Sequence, residues 1–210
     1  MVKAIGKFKK PQKASIPDYL VYEMMDGFPI YYKDYKKVLN NEATLEDITG
    51  SSRVQSFIIS LIEDFLKAHF KKKYWILSNE LGMHLKHKNN LSADIAMFDK
   101  TTFPSAFFMH DTYSDKAPNV IIEVDSNANL EDLPFDYFSN KTDKLMLWGV
   151  QEVIWVFTKS RKIMVALPNK AWLTVNWDDD IEILNMPFNL IRYAESEGIN
   201  LELVRDISNG

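Results

Sequence analysis

Apolar positions recur at two different periods along this chain, and the changes of period divide it into elements. In GSSRVQSFIISLIEDFLKAHF, residues 50–70, Val54, Phe57, Ile58, Leu61, Ile62, Phe65 and Leu66 follow one another at helical spacing. That pattern predicts an amphipathic helix whose apolar stripe faces the core. Ser52, with Gln55 three residues on, supplies a capping-box start. Upstream, YLVYEMMDGFPIYY sets two β-rich runs around Asp26-Gly27, a hairpin signal because glycine accepts positive φ. Downstream, KYWILSN, GMHLK, ADIAMFD and NVIIEV are strand candidates. A second helix is expected over LPFDYFSNKTDKLMLW, with Pro134 in its first turn and Gly149 ending it. EVIWVFT then reads as a strand apolar on both faces. KIMVAL and WLTVNW read as a hairpin, and EILNMPFNLIRYAESEG as a short strand and a terminal helix. A helix, three strands, a helix and a strand predict an α/β sandwich built on a mixed sheet.

Length and composition narrow the class without naming a function. A chain of 210 residues, 46% hydrophobic and 26% charged, is suited to one large core rather than two. The expected division is a basic, flexible arm over residues 1–17 and one domain over residues 18–210. No apolar run approaches the ~18 residues needed to span a bilayer, and MVKAIGKFKKPQK lacks an apolar signal core. There is no cysteine, which excludes disulfides and thiolate chemistry and fits a cytoplasmic setting. The net charge of −4 argues against a permanent coat of phosphate contacts. It leaves room for nucleic acid as a transient substrate, since Lys3, Lys7, Lys9, Lys10, Lys13 and Lys71, Lys72, Lys73 form local basic patches.

The candidate chemistry lies at strand ends. NVIIEVDSNA, residues 119–128, runs apolar until acids appear. Alternation puts Ile121, Glu123 and Asp125 on one face and Val120, Ile122 and Val124 on the other. Asp94 opens the strand DIAMF, while Glu123 closes VIIEV. If these strands are antiparallel neighbours, the two carboxylates meet at one place on the sheet. They then repel each other unless a cation lies between them. Oxygen ligands of this kind suit Mg²⁺ or Mn²⁺; the plainer alternative is a pair of solvated strand-end acids. Lys141 follows Tyr137 by four residues and precedes Leu145 by four, so it lies on the apolar stripe of its helix. A lysine there either snorkels to water or meets an anion. Glu80, in SNELGMHL, adds a third carboxylate if its strand joins the same edge. The four histidines form no metal-ligand spacing, and no phosphate-binding glycine loop or serine elbow is present.

An aspartate opening one strand, a glutamate closing the next and a nearby lysine resemble the PD-(D/E)XK nuclease superfamily. More narrowly, the chain is similar to the Uma family of restriction-endonuclease homologues from about Tyr19 to Phe157. The similarity rests on YEMMDG at 22–27, SADIAMF at 92–98, PNVIIEVDS at 118–126 and KTDKLMLWGVQEVIWV at 141–156. It implies a restriction-endonuclease-like sandwich with an αβββαβ core, an N-terminal hairpin, and a C-terminal β-hairpin plus helix. It also implies Mg²⁺-dependent (or Mn²⁺-dependent) hydrolysis of phosphodiester bonds in DNA. Asp94, Glu123 and the Val124 carbonyl would then hold the metal, and Lys141 and Glu23 would complete the catalytic set. Ala93 stands where the family has proline. Asp125 occupies the superfamily's usual lysine position, and GSSRVQ lacks the histidine common near the family's first long helix. An inactive module that binds nucleic acid or a protein partner is therefore the alternative. Cutting both DNA strands with one site per chain would call for a homodimer.

Overall fold

The computed structural model describes residues 16–126, 128–131 and 133–202. Nearly all of the expected basic arm, including its five lysines, lies outside them. Strand β1 (Val21–Met25) turns into β2 (Phe28–Tyr31) through Asp26 and Gly27, at φ 49° and 80°. Two short helices follow, α1 (Tyr35–Leu39) and α2 (Leu45–Thr49); each is too short to have carried a clear period. The predicted long helix is α3 (Arg53–Phe70), and Ser52 Oγ accepts a hydrogen bond from the Gln55 amide at 3.2 Å. Phe57 departs from the expected stripe and is 45% exposed.

The segments KYWILSN and GMHLK are one strand, β3 (Tyr74–Lys86). They read as two because a bulge interrupts their pairing between Ser78 and Leu81, with Asn79 and Glu80 at positive φ. Next come β4 (Asn89–Asp99), β5 (Val120–Val124), α4 (Tyr137–Trp148) and β6 (Glu152–Phe157). Pro134 lies before α4 rather than in its first turn. Asp136 is the N-cap, accepting from the Ser139 amide at 2.7 Å, and Gly149 ends the helix at φ 126°. Strands β7 (Lys162–Ala166) and β8 (Leu173–Asn176) form the expected hairpin. The C-terminal segment adds a second small hairpin, β9 (Ile181–Ile183) with β10 (Met186–Phe188), before α5 (Leu190–Ser196).

The main sheet runs β2-β1-β4-β5-β6-β7-β8, with β3 paired to β4. Its pairs are antiparallel except β5 with β6. A parallel pair needs a crossover, and α4 supplies it. One face of the sheet, with Ile95, Met97, Ile122, Val124 and Val156, packs against α3 and α5. The other carries Ile121, Val153 and Trp155 and packs against Tyr137 and Leu145 of α4. This is a mixed α/β architecture with a mostly antiparallel sheet between helices, and it contains the αβββαβ order expected from the sequence. Among the described residues, no helix is long and apolar enough to cross a membrane.

Candidate active site

Strand β4 is longer than β1 and β5, and the site forms where these two divide one of its edges. β3 occupies one edge from Asn89 to Asp99. β1, through Met24 opposite Asn90, and β5, through Ile122 opposite Ile95, must therefore share the other edge end to end. Continuing the β4–β5 register by one step sets Asp94 opposite Glu123. Asp94 Oδ2 accepts from the Val124 amide at 2.7 Å, which ties the two strand ends together. Where β4 lacks a strand partner, a side chain substitutes: Glu23 Oε1 accepts from the Ser92 amide at 2.9 Å and from Ser92 Oγ at 3.2 Å.

Helix α4 lowers Lys141 into this junction. Its Nζ lies 2.8 Å from Glu23 Oε1 and 2.8 Å from Glu123 Oε1, and donates at 3.3 Å to the hydroxyl of Tyr137. Tyr137 in turn donates to Glu23 Oε2 at 2.8 Å. The lysine is 0% exposed, so it does not snorkel; it meets anions, the second of the two outcomes its position allowed. Lys144, on the next helical row, stays near the surface and pairs with Asp26. The Glu123 contact is a charge pair without hydrogen-bond alignment, so Glu123 Oε1 is buried without a donor.

The electrostatics follow from one ammonium among three buried carboxylates. Burial would depress Lys141, but Glu123 and Glu23 outweigh it and hold the lysine well above its usual range. Burial raises Glu123 to about 8, with Asp94 and Glu23 adding to the rise against the pull of Lys141. Asp94 is raised to about 6, chiefly by burial, and the Val124 hydrogen bond opposes the rise. Burial also pushes the Tyr137 hydroxyl well above its usual value. Such a cluster has a surplus of negative charge that a further cation would relieve.

Asp94, Glu123, Lys141 and Glu23 are thus brought together, although Glu23 approaches from a hairpin rather than from the αβββαβ core. One expectation is corrected. Asp125 does not continue the face of Glu123: β5 ends at Val124, and Asp125, at φ 57°, accepts from the amide and hydroxyl of Thr158. Glu80 comes from the other edge of β4, where the Asn79–Glu80 bulge falls opposite Asp94; its exposed carboxylate is a like charge that raises Asp94, and it lines the same cleft as Glu23. Among the described residues, no group of three or more histidine or acidic side chains is spaced to hold a metal ion. The donor set is two carboxylates, and the buried Glu123 Oε1 has the Lys141 ammonium as its charge partner at 2.8 Å. The set suits a hard divalent cation whose other ligands are waters or backbone oxygens. Tyr137 and Ser92 belong to the cluster and were not singled out from sequence for it. Tyr137 could have been, because it precedes Lys141 by one helical turn. A cleft of about 510 Å³, lined by Tyr22, Glu23, Glu80, Ser92 and Tyr113 among others, opens beside the cluster.

The fold has a solved counterpart. A crystal structure from Anabaena variabilis ATCC 29413, described as a "putative nuclease belonging to DUF820", is similar over 88% of this chain and 89% of that one. The TM-score is 0.53 at 14% sequence identity, a likeness of fold. No family model and no curated protein matches the chain.

Proposed function

We propose that this protein is a metal-dependent nuclease that hydrolyses phosphodiester bonds in DNA, of the Uma type within the PD-(D/E)XK superfamily. One observation carries the proposal: Asp94, Glu123 and Lys141, from two strands and a helix, converge with Glu23 at a single junction of the sheet. The description of the fold counterpart as a nuclease supports the same class.

Asp94 and Glu123, with the Val124 carbonyl, are the residues that would hold Mg²⁺ or Mn²⁺. Bound there, the ion would acidify a coordinated water and neutralise charge growing on the phosphate. Lys141 supplies a fixed positive charge at the place where the phosphate becomes more negative. Glu123, Glu23 and Tyr137 hold that ammonium and keep it protonated. The β4–β5 pairing fixes the spacing of the two acids, so little reorganisation is left to the moment of reaction.

The test is cleavage of single- and double-stranded DNA with Mg²⁺ or Mn²⁺, comparing wild type with Asp94→Asn and Lys141→Ala. Loss of cleavage in both variants is the expected outcome; cleavage that survives both would place the activity elsewhere. A second reading, a nuclease fold that binds without turnover, is favoured by the complete burial of Lys141 between two glutamates. Calorimetry separates the two: heat on Mn²⁺ addition that vanishes in Asp94→Asn supports the enzyme, and no heat supports the binding module.

A further inference from the structure

A second, larger cavity meets the cleft beside the acid cluster, and its chemistry differs. It measures about 960 Å³, shares Asn90 and Tyr113 with that cleft, and runs along β3 between Leu77, Leu81, Phe98, Phe107 and Phe108. Tyr113 stands where the two cavities join and is 59% exposed. Its ring lies directly on the backbone of Gly82: a Cβ at that position would fall 2.8 Å from Tyr113 Cδ1. Glycine therefore lets an aromatic face rest against the strand while staying open to a ligand. At the far end, Phe108 packs edge-on against Trp75 with centroids 6.0 Å apart, and Lys100 Nζ lies 4.2 Å above the Trp75 ring. Lys71, Lys72 and Lys73 are exposed beside this end, and Lys100 Nζ donates to the Lys71 carbonyl. The groove's own charged and titratable lining is His84, His110 and Lys116 against Asp115.

We propose that this groove is a track for single-stranded DNA leading into the acid–lysine cluster, with Tyr113 stacking the base next to the bond to be cut. The inference rests on the nuclease reading and deepens it by naming the substrate class. Bases can lie on exposed rings only when they are unstacked, so an aromatic floor selects single strands over a duplex. The lysines at the Trp75 end provide the phosphate contacts that such a track requires. The half-buried rings of Phe107 and Phe108, backed by the buried Phe98, line the middle, where bases rather than phosphates would lie. Asp115 is the one groove acid and sets a limit on how closely the backbone can approach there.

The experiment is fluorescence anisotropy of a labelled oligodeoxythymidylate, single-stranded or annealed to oligodeoxyadenylate, with EDTA present to prevent cleavage. Tyr113→Ala should weaken single-strand binding roughly tenfold, the scale of one lost stacking contact, and Tyr113→Trp should restore it. Gly82→Ala, which leaves the tyrosine in place but drives its ring off the strand, should weaken binding in the same direction. Circular dichroism would show that each variant is folded. Duplex binding as tight as single-strand binding, or an affinity indifferent to Tyr113, would overturn the track. If wild type cleaves DNA while Tyr113→Ala binds and cleaves equally well, the track falls and the nuclease stands. If binding depends on Tyr113 but no metal supports cleavage, the nuclease falls and the track stands.

Discussion

The two faces of the sheet solve the same packing problem with different chemistry. Toward α3 and α5, the buried positions of β4, β5 and β6 are apolar apart from Glu152, whose carboxylate accepts from the Leu184 amide, and closeness of fit supplies the stability. Toward α4, the sheet buries Asp94, Glu123 and, from β1, Glu23, and α4 adds Lys141 and the Tyr137 hydroxyl, among Ile121, Leu145 and Trp155. A buried ionic group seldom stabilises more than a well-packed apolar one would, because desolvation offsets most of the attraction. The polar face is therefore kept for what it can do, whereas the apolar face holds the sheet together. Trp155 marks the boundary: its Nε1 donates to Thr142 Oγ1 at 2.9 Å while its ring lies 5.5 Å from Lys141 Nζ.

Breaking each face should leave a different signature. The largest effect is expected from Lys141→Met, which strands Glu23 and Glu123 without their cation and should cost about 3–5 kcal/mol in urea unfolding. Adding Glu23→Gln and Glu123→Gln should recover much of that loss; no recovery would mean that the lysine acts through packing alone. On the apolar face, Ile122→Ala should cost about 2–4 kcal/mol at every pH, because it opens a cavity and touches no charge.

The pH dependence sharpens the contrast. Native Asp94 (about 6) and Glu123 (about 8) hold protons that the unfolded chain has already released. Without added metal, stability should fall as pH rises from about 4.5 to 8, by at most about 1.4 kcal/mol per pH unit for each group. Glu123→Gln should flatten the upper part of that slope, and Ile122→Ala should shift the curve without changing its shape. Lys141 acts in a separate window: its contribution is complete below its unfolded value and is lost only in strong alkali. Asp125→Ala should cost about 1–2 kcal/mol through the unpaired Thr158 amide and spare any DNA cleavage. Smallest is Lys144→Ala, expected to change stability by less than about 1 kcal/mol, because its pairing with Asp26 is near the surface and screened by salt.

Local signals were enough for much of this architecture. The α3 stripe, the Asp26-Gly27 turn and the strand order need only short windows of sequence. Lys141 was legible as a core-facing lysine because helical spacing fixes its face before any partner is known. What escaped depended on partners far along the chain. The bulge at Asn79 and Glu80 hides the continuity of β3, since its cause lies in the pairing with β4. Asp125 looked like the next residue on the face of Glu123, but positive φ ends the alternation one residue too soon for that. Phe57 fits the period of α3 and still faces out, a departure that periodicity alone does not reveal. That Glu80 reaches Asp94 from the far edge of β4 could not be read from sequence, because it depends on which edge β3 takes.

The division of one β4 edge between β1 and β5 also gathers the cluster from distant parts of the chain. Glu123 lies close to Lys141 along the chain, whereas Glu23 is 118 residues away. Closing so long a loop is slow, and the N-terminal hairpin leaves the ribosome well before the lysine that it will hold. The packing of α4 onto the sheet is thus what both completes the polar face and buries its charges.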